Sequence, residues 1–194
     1  MAFFRTVSFA EAYPAINGAG VTLRTPVAGD YPEWAGLREQ SRAFLTPWEP
    51  IWPADDLTRS AFRRRLRRYA EDQRNDTAYS FLIFRHEDRR LVGGLTLANV
   101  RRGVAQAGSI GYWVGQPFAR KGYMTAAVRA LMPFCFGTLR LHRLEAACIP
   151  SNAASIGLLE KTGFRREGYA RSYLCINGIW QDHLLYARLQ SDPD

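Results

Sequence analysis

Paired cysteines are missing from this chain. Cys135, Cys148 and Cys175 are odd in number and widely spaced, so no spacing suggests a zinc site or a redox dithiol. Three free, mostly buried thiols in a reducing compartment are the simplest account. Nor is there an uncharged apolar run long enough to span a bilayer. Glu11 and Pro14 interrupt the apolar character of the first twenty residues, which argues against a signal-peptide core and makes the cytoplasm the expected location. A Pro/Gly/Ser-rich linker and an internal repeat are also absent. The 194 residues therefore read as an N-terminal arm (1–20), a single domain (21–190) and a short tail (191–194).

What is present is an ordinary globular composition, 47% apolar and 23% charged, sufficient for a full core. The formal charge is +8, from 26 basic and 18 acidic residues, and nearly all the bases are Arg. Such a balance favours an anionic cofactor, an acidic partner or nucleic acid, without choosing among them. Much of the excess lies in Arg63, Arg64, Arg65, Arg67 and Arg68, on a helix whose apolar face is Phe62, Leu66, Tyr69 and Ala70. A solvated helix face and an RNA-docking face are both compatible with that pattern.

Taken in order, Val21 to Thr25 alternates as a first strand, stopped by Pro26. Asp30 and Pro32 start a helix to about Phe44, with Trp34, Leu37 and Leu45 facing inward. Three prolines stiffen the stretch Leu45 to Pro53. Asp55 or Asp56 is the expected start of the Arg-rich helix. Strands are expected over Thr77 to Arg85, Leu91 to Val100 and Gln106 to Val114. A helix follows from Tyr123 to about Phe136, kinked or shortened by Pro133. Then come a strand from Arg143 to Ile149, a helix headed by Asn152 and closed at Gly163, and a hairpin across Asn177-Gly178. The result is an α/β, or α+β layered, domain.

The stretch that carries most information is Gln116 to Thr125, a basic, glycine-containing turn between a strand and a helix. The first N–H groups of a helix lack intrahelical partners and the helix dipole adds positive potential, so an anion is readily held there. Arg120 and Lys121 reinforce that field. A plain basic loop remains the alternative on these residues alone.

With the Asn-headed helix, Gly163-Phe164 and the closing hairpin, this order of parts resembles the GNAT N-acetyltransferase fold, over roughly Val21 to Leu189. The stretches Phe44 to Pro50, Asn152 to Ser155, Glu160 to Phe164 and Glu167 to Ala170, with Ile176 to His183, are similar to the RimJ/RimL branch, which acetylates N-terminal amines of ribosomal proteins. The last of these looks like the RimJ ending. Departures are Ala119 and Met124 in the phosphate-turn pattern, Ala126 where many relatives have Glu, and Leu174 where the RimL type carries Glu. The last favours the RimJ side.

The resemblance implies acetyl-CoA as co-substrate, with no metal. It implies a mixed, mostly antiparallel sheet with splayed parallel strands. Backbone amides from Arg120 through Lys121, Gly122, Tyr123 and Met124 to Thr125 would take the pyrophosphate. Trp113 and Val114 would edge the pantetheine, the Val114 N–H meeting the thioester carbonyl. Asn152 reads either as a pantetheine partner or as a simple N-cap. Ser155 matches the candidate acid that protonates departing CoA, or else bonds only its own backbone. On the substrate side, Glu49 is the expected carboxylate, attracting the amine and relaying its proton, with Trp48, Tyr112 and Tyr169 lining the groove. Asp182 and His183 read as structural. The implied acceptor is a ribosomal protein N-terminus, most simply the alanine of small-subunit protein S-five, with a small amine as the alternative and a binding module that has lost turnover as a third reading. Proximity to ribosomal RNA would suit the basic surface. Monomer and homodimer both stay open.

Overall fold

A computed structural model describes residues 14–193. The first thirteen residues of the expected arm lie outside the described residues. Its end does not: Ile16–Gly18 forms β1, pairing antiparallel with β2 (Val21–Arg24). The remaining strands are β3 (Tyr79–Arg85), β4 (Leu91–Arg101), β5 (Ala107–Val114), β6 (Arg143–Cys148), β7 (Arg165–Ile176) and β8 (Ile179–Leu189). They form one eight-stranded sheet in the order β1-β2-β3-β4-β5-β6-β8-β7, antiparallel except for the β5–β6 pair. This is the GNAT architecture expected from the sequence.

Helices cover both faces. On one lies α4 (Tyr123–Pro133), whose Ala127, Val128 and Leu131 are fully buried in the core cluster that includes Leu23, Ile83, Leu95 and Leu97. Burying each such Leu, Ile or Val contributes about 1.5–3 kcal/mol. The chain passes Pro133 without a sharp stop, through a wider turn closed by the Leu139 N–H on the Phe134 carbonyl at 2.9 Å. On the opposite face, α1 (Tyr31–Gln40) and α3 (Arg59–Arg74) meet through Trp34 and Phe62, whose ring centroids are 4.8 Å apart.

Three local details differ from expectation. The first helix breaks at Ser41, and a short α2 (Arg42–Leu45) follows. Helix α3 is capped by Thr58, whose hydroxyl accepts from the Ala61 N–H at 3.2 Å. Asp55 and Asp56 instead take ion pairs from Arg64 and Arg65, so part of the Arg run is already neutralised. The expected ends hold for α5 (Ala153–Lys161). Gly163 adopts φ 80°, and the N–H groups of Gly163 and Phe164 close onto the Glu160 and Leu159 carbonyls at 3.1 and 2.9 Å. That is a Schellman closure, which only a residue at ease in the left-handed region permits. Asn177 and Gly178 have φ 46° and 80°, as a two-residue hairpin turn requires.

Candidate active site

The site is organised by the point where β5 and β6 separate. Their pairing runs through Ala107↔Arg143, Gly108↔Leu144 and Ser109↔Glu145, after which β5 continues to Val114 and β6 to Cys148 with a gap between them. The Gly115 N–H donates to the Val92 carbonyl at 2.9 Å. In an antiparallel ladder the direction of donation alternates, so the N–H groups of Tyr112 and Val114 point away from β4, into that gap. They are donors at a sheet edge opened from within.

Beyond Val114 the chain makes a short 3-10 turn, Gln116–Phe118, and enters α4 through Arg120 (φ 59°) and Gly122 (φ 84°). Gly122 is the N-cap of α4 and provides no side-chain cap. The Ala126 N–H is bonded to the Gly122 carbonyl at 3.0 Å, which leaves the amides of Tyr123, Met124 and Thr125 without intrahelical partners. The left-handed Gly122 followed by the right-handed start of α4 turns these N–H groups toward one concavity. Arg120, Lys121 and Gly122 are exposed, whereas the Met124 side chain is buried in the core, so Met124 offers the cradle only its backbone. Two cations missed in the sequence converge on the same place. Arg85 and Arg90 lie 5.3 and 5.6 Å from the Phe118 ring centroid, with the Lys121 ammonium at 6.0 Å. The turn joining β3 to β4 shares an end of the sheet with the exit of β5, and that antiparallel register was the signal available.

Across the gap, the Asn152 side-chain carbonyl accepts from the Ser155 N–H at 3.1 Å, capping α5. The cap occupies Oδ1 and leaves the Nδ2 donor for another partner, so the two readings of Asn152 use different atoms of one amide. The hydroxyls of Tyr112 and Ser155 are 2.7 Å apart. Burial holds the Tyr112 hydroxyl well above its ordinary pKa, and the bond with Ser155 offsets part of that shift. Burial also raises the Cys148 thiol. Tyr112 therefore belongs with Ser155 on the α5 face of the sheet, not with the expected substrate-side residues.

Those residues gather on the other face, differently from expectation. Glu49 is expected as the substrate-side carboxylate that attracts the amine and relays its proton; both its oxygens accept from Arg38, at 2.8 and 2.6 Å, and Oε2 also accepts from the Trp52 indole N–H at 2.7 Å. Both oxygens are thereby turned to partners on α1 and within the loop. The Arg38 guanidinium stacks on Trp52 at 4.1 Å and reaches Trp113 at 5.0 Å. Gly94 lets the Trp113 indole lie flat on β4, since a Cβ there would meet Nε1 at 2.4 Å. The Asn177 N–H donates to the Glu49 carbonyl at 2.8 Å, fixing the loop to the closing hairpin. Trp48 is partly exposed in the 3-10 turn Thr46–Trp48. Tyr169 is not brought to this loop: it stands on the edge strand β7 and gives its hydroxyl to Asp182. Asp182 also accepts from the Ser172 N–H at 2.7 Å, stapling an irregular stretch of β7. His183 is buried beneath Tyr173, with ring centroids 5.7 Å apart. An open groove of about 620 Å³, bounded in part by Ser109, Glu145 and Tyr173, runs along the same face as Trp113.

The sequence profile described as Acetyltransferase (GNAT) domain matches residues 21–165. The chain belongs to the GNAT acetyltransferase family. The probable N-acetyltransferase YjcK of Bacillus subtilis is 37% identical over 179 residues, covering 92% of this chain and 99% of that protein. The ribosomal protein uS5 alanine N-acetyltransferase of Escherichia coli is 35% identical over 153 residues, covering 79% of each. Among solved structures, Mycobacterium smegmatis RimJ in complex with CoA-disulfide superposes with a TM-score of 0.84 at 31% identity, covering 91% of this chain and 86% of that one. This GNAT enzyme is an acetyl-CoA-dependent N-acetyltransferase related to the ribosomal protein N-acetyltransferases. Its geometry fits the donor, with an uncapped helix N-terminus flanked by exposed Arg120 and Lys121 for the phosphates and an open strand edge leading to it, Arg85 nearby being already paired with Asp88 and Glu87. Among the described residues, no cluster of His, Cys, Asp and Glu is arranged to hold a metal, and no helix is long and apolar enough to cross a membrane.

Proposed function

We propose that the enzyme transfers the acetyl group of acetyl-CoA to the N-terminal amine of a protein, the alanine of ribosomal protein uS5 being the acceptor favoured by its relatives. The observation that carries this reading is the docking of the Thr46–Trp52 loop onto the Asn177-Gly178 hairpin through the Glu49 carbonyl. The loop resembles the substrate side of the RimJ/RimL branch and the hairpin the RimJ ending, and they meet beside the opened strand edge.

In this reading the amides from Lys121 to Thr125 hold the pyrophosphate, with the Arg120 and Lys121 side chains as secondary contacts. Asn152 Nδ2 and the edge of β5 hold pantetheine. The Val114 N–H receives the thioester oxygen as it becomes an oxyanion. An N-terminal amine has a pKa of about 7.7 to 8.0, so at pH 7 roughly a tenth or more of it is already free, and a water chain suffices to remove the second proton. The nitrogen attacks the carbonyl carbon, the C–S bond breaks, and the Ser155 hydroxyl, held in place by its bond with Tyr112, protonates the leaving thiolate and is reprotonated from the water that took the amine proton. Glu49 acts as a wall of the acceptor groove and not as the base. The basic surface, with Arg63 and Arg67 exposed on α3, suits work beside ribosomal RNA in the cytoplasm.

Thiol release from acetyl-CoA tests the reading. An alanine-starting peptide is expected to support turnover, whereas an aminoglycoside and an acceptor-free control are not. Turnover with the aminoglycoside alone would replace the acceptor, and silence in all three arms would leave a binding module.

A further inference from the structure

One turn of α1 touches both substrates' supports. Leu37 packs under Gly115, where a Cβ would meet Leu37 Cδ1 at 2.4 Å. Arg38, only 7% exposed, spans from Glu49 and Trp52 on the acceptor loop to Trp113 on the donor strand. Ser41, fully buried, accepts from the Gln116 N–H at 2.9 Å, at the first residue of the phosphate turn. The Arg38 Nε is buried without a hydrogen-bond partner, so the side chain is held by its bidentate carboxylate and by two indole faces instead of by a fully satisfied polar shell.

We infer that Arg38 is a positioning residue that fixes the acceptor loop, through Glu49 and Trp52, against the donor strand at Trp113. The inference rests on the reading that β5 carries the thioester and the Glu49 loop faces the acceptor. A planar, bidentate guanidinium between two rings determines distance and angle together, which an ammonium cannot do. The last turn of α1 then moves as one body with Gln116 through Ser41. A shift of the loop is felt at the phosphate turn, and misplacing reacting atoms by about 1 Å is enough to cost roughly 100-fold in rate.

The test uses the full chain with Glu49→Gln, Arg38→Met, the double variant, and Arg42→Met as a control. Arg42 stacks on Trp52 at 4.8 Å but pairs with Glu39 and is half exposed. Hydrogen exchange is read at Trp113 to Gln116 in the free enzyme. Glu49→Gln, made on the loop, is expected to speed exchange there about threefold or more, as is Arg38→Met, while Arg42→Met leaves it unchanged. With an alanine-starting peptide, kcat falls about tenfold or more in both variants while the acetyl-CoA dissociation constant stays within about twofold. The double variant removes the unpaired buried charge and recovers melting temperature, yet keeps the low kcat and the fast exchange. Recovery of kcat with melting temperature, or faster exchange confined to residues 46–52, overturns the inference. If the wild type does not acetylate the peptide, the acceptor reading fails, and the exchange pattern still decides the role of Arg38.

Discussion

The two sides of the β5–β6 opening are built on opposite plans. On the donor side, polar groups are left available: the first amides of α4 have no side-chain cap, Val114 turns its N–H into the gap, and Asn152 spends one atom of its amide on the helix. On the acceptor side, polar groups are consumed: Glu49 is filled by Arg38 and Trp52, and the loop carbonyl by Asn177. Side-chain caps at Thr58 and Asn152 close α3 and α5, whereas α4, like α1, has none, and of these two only α4 opens its first amides beside the separated strands. An open helix end is a place for a ligand that every family member shares. A filled network gives shape to a groove whose occupant changes.

The comparison is broken most severely by Gly122→Glu, which places a carboxylate in the amide cradle and forces a side chain to φ 84°. Acetyl-CoA affinity measured by calorimetry is expected to fall about 100-fold or more, roughly 2.7 kcal/mol. Unchanged affinity would remove the cradle from the donor site. Next comes Ser155→Ala, expected to lower kcat by about 100-fold, within the usual range for a positioned acid, with the acetyl-CoA dissociation constant unaltered. Equal steady-state kinetics would take Ser155 out of the chemistry.

Tyr112→Phe sharpens the same side with a smaller loss, about tenfold in kcat. In the wild type the rate is expected to rise with pH as the acceptor amine loses its proton, to a plateau above about pH 8. Because burial raises the Tyr112 pKa, its hydroxyl keeps its proton well past the ordinary value, and no descending limb arises from it below about pH 10. A descending limb that vanishes in Tyr112→Phe would contradict this. The smallest effects separate cap from ligand contact. Asn152→Asp retains the cap and removes the Nδ2 donor, so thermal stability should hold while acetyl-CoA affinity drops about fivefold, the share of one neutral hydrogen bond. Thr58→Ala should cost about 1 kcal/mol of stability in denaturant titration and leave affinity untouched.

The donor side was legible in the sequence because its signals are local. A strand, a Gly at the N-cap, a pair of cations and an Asn three residues before Ser155 are all read along the chain, as are the helix closure at Gly163 and the turn at Asn177-Gly178. The acceptor side was not, because its chemistry is made by contacts between distant segments. Nothing adjacent to Glu49 reveals Arg38. The available clue was an Arg on the stripe Trp34, Leu37, Arg38 and Ser41, where i, i+3, i+4, i+7 spacing marks the buried face of α1. Tyr112 and Tyr169 were expected on the substrate side by position in the fold. Which face of the sheet each takes depends on register, and both face away from Trp113. At the break itself the Ser41 hydroxyl accepts from the Gln116 N–H, another contact between distant segments.

The bond from Asn177 to the Glu49 carbonyl also orders events in time. It joins a loop near the start of the chain to a turn near its end, a longer closure than the Ser41–Gln116 bond that anchors the phosphate turn and far longer than the helix-start contacts within that turn. During synthesis the segment that receives acetyl-CoA is complete well before the wall that faces the acceptor. A chain halted before Asn177 would carry the helix end for the donor but lack the partner that holds Glu49 in place. On the proposed reading, the acceptor wall is thus completed last, when the final hairpin joins the sheet.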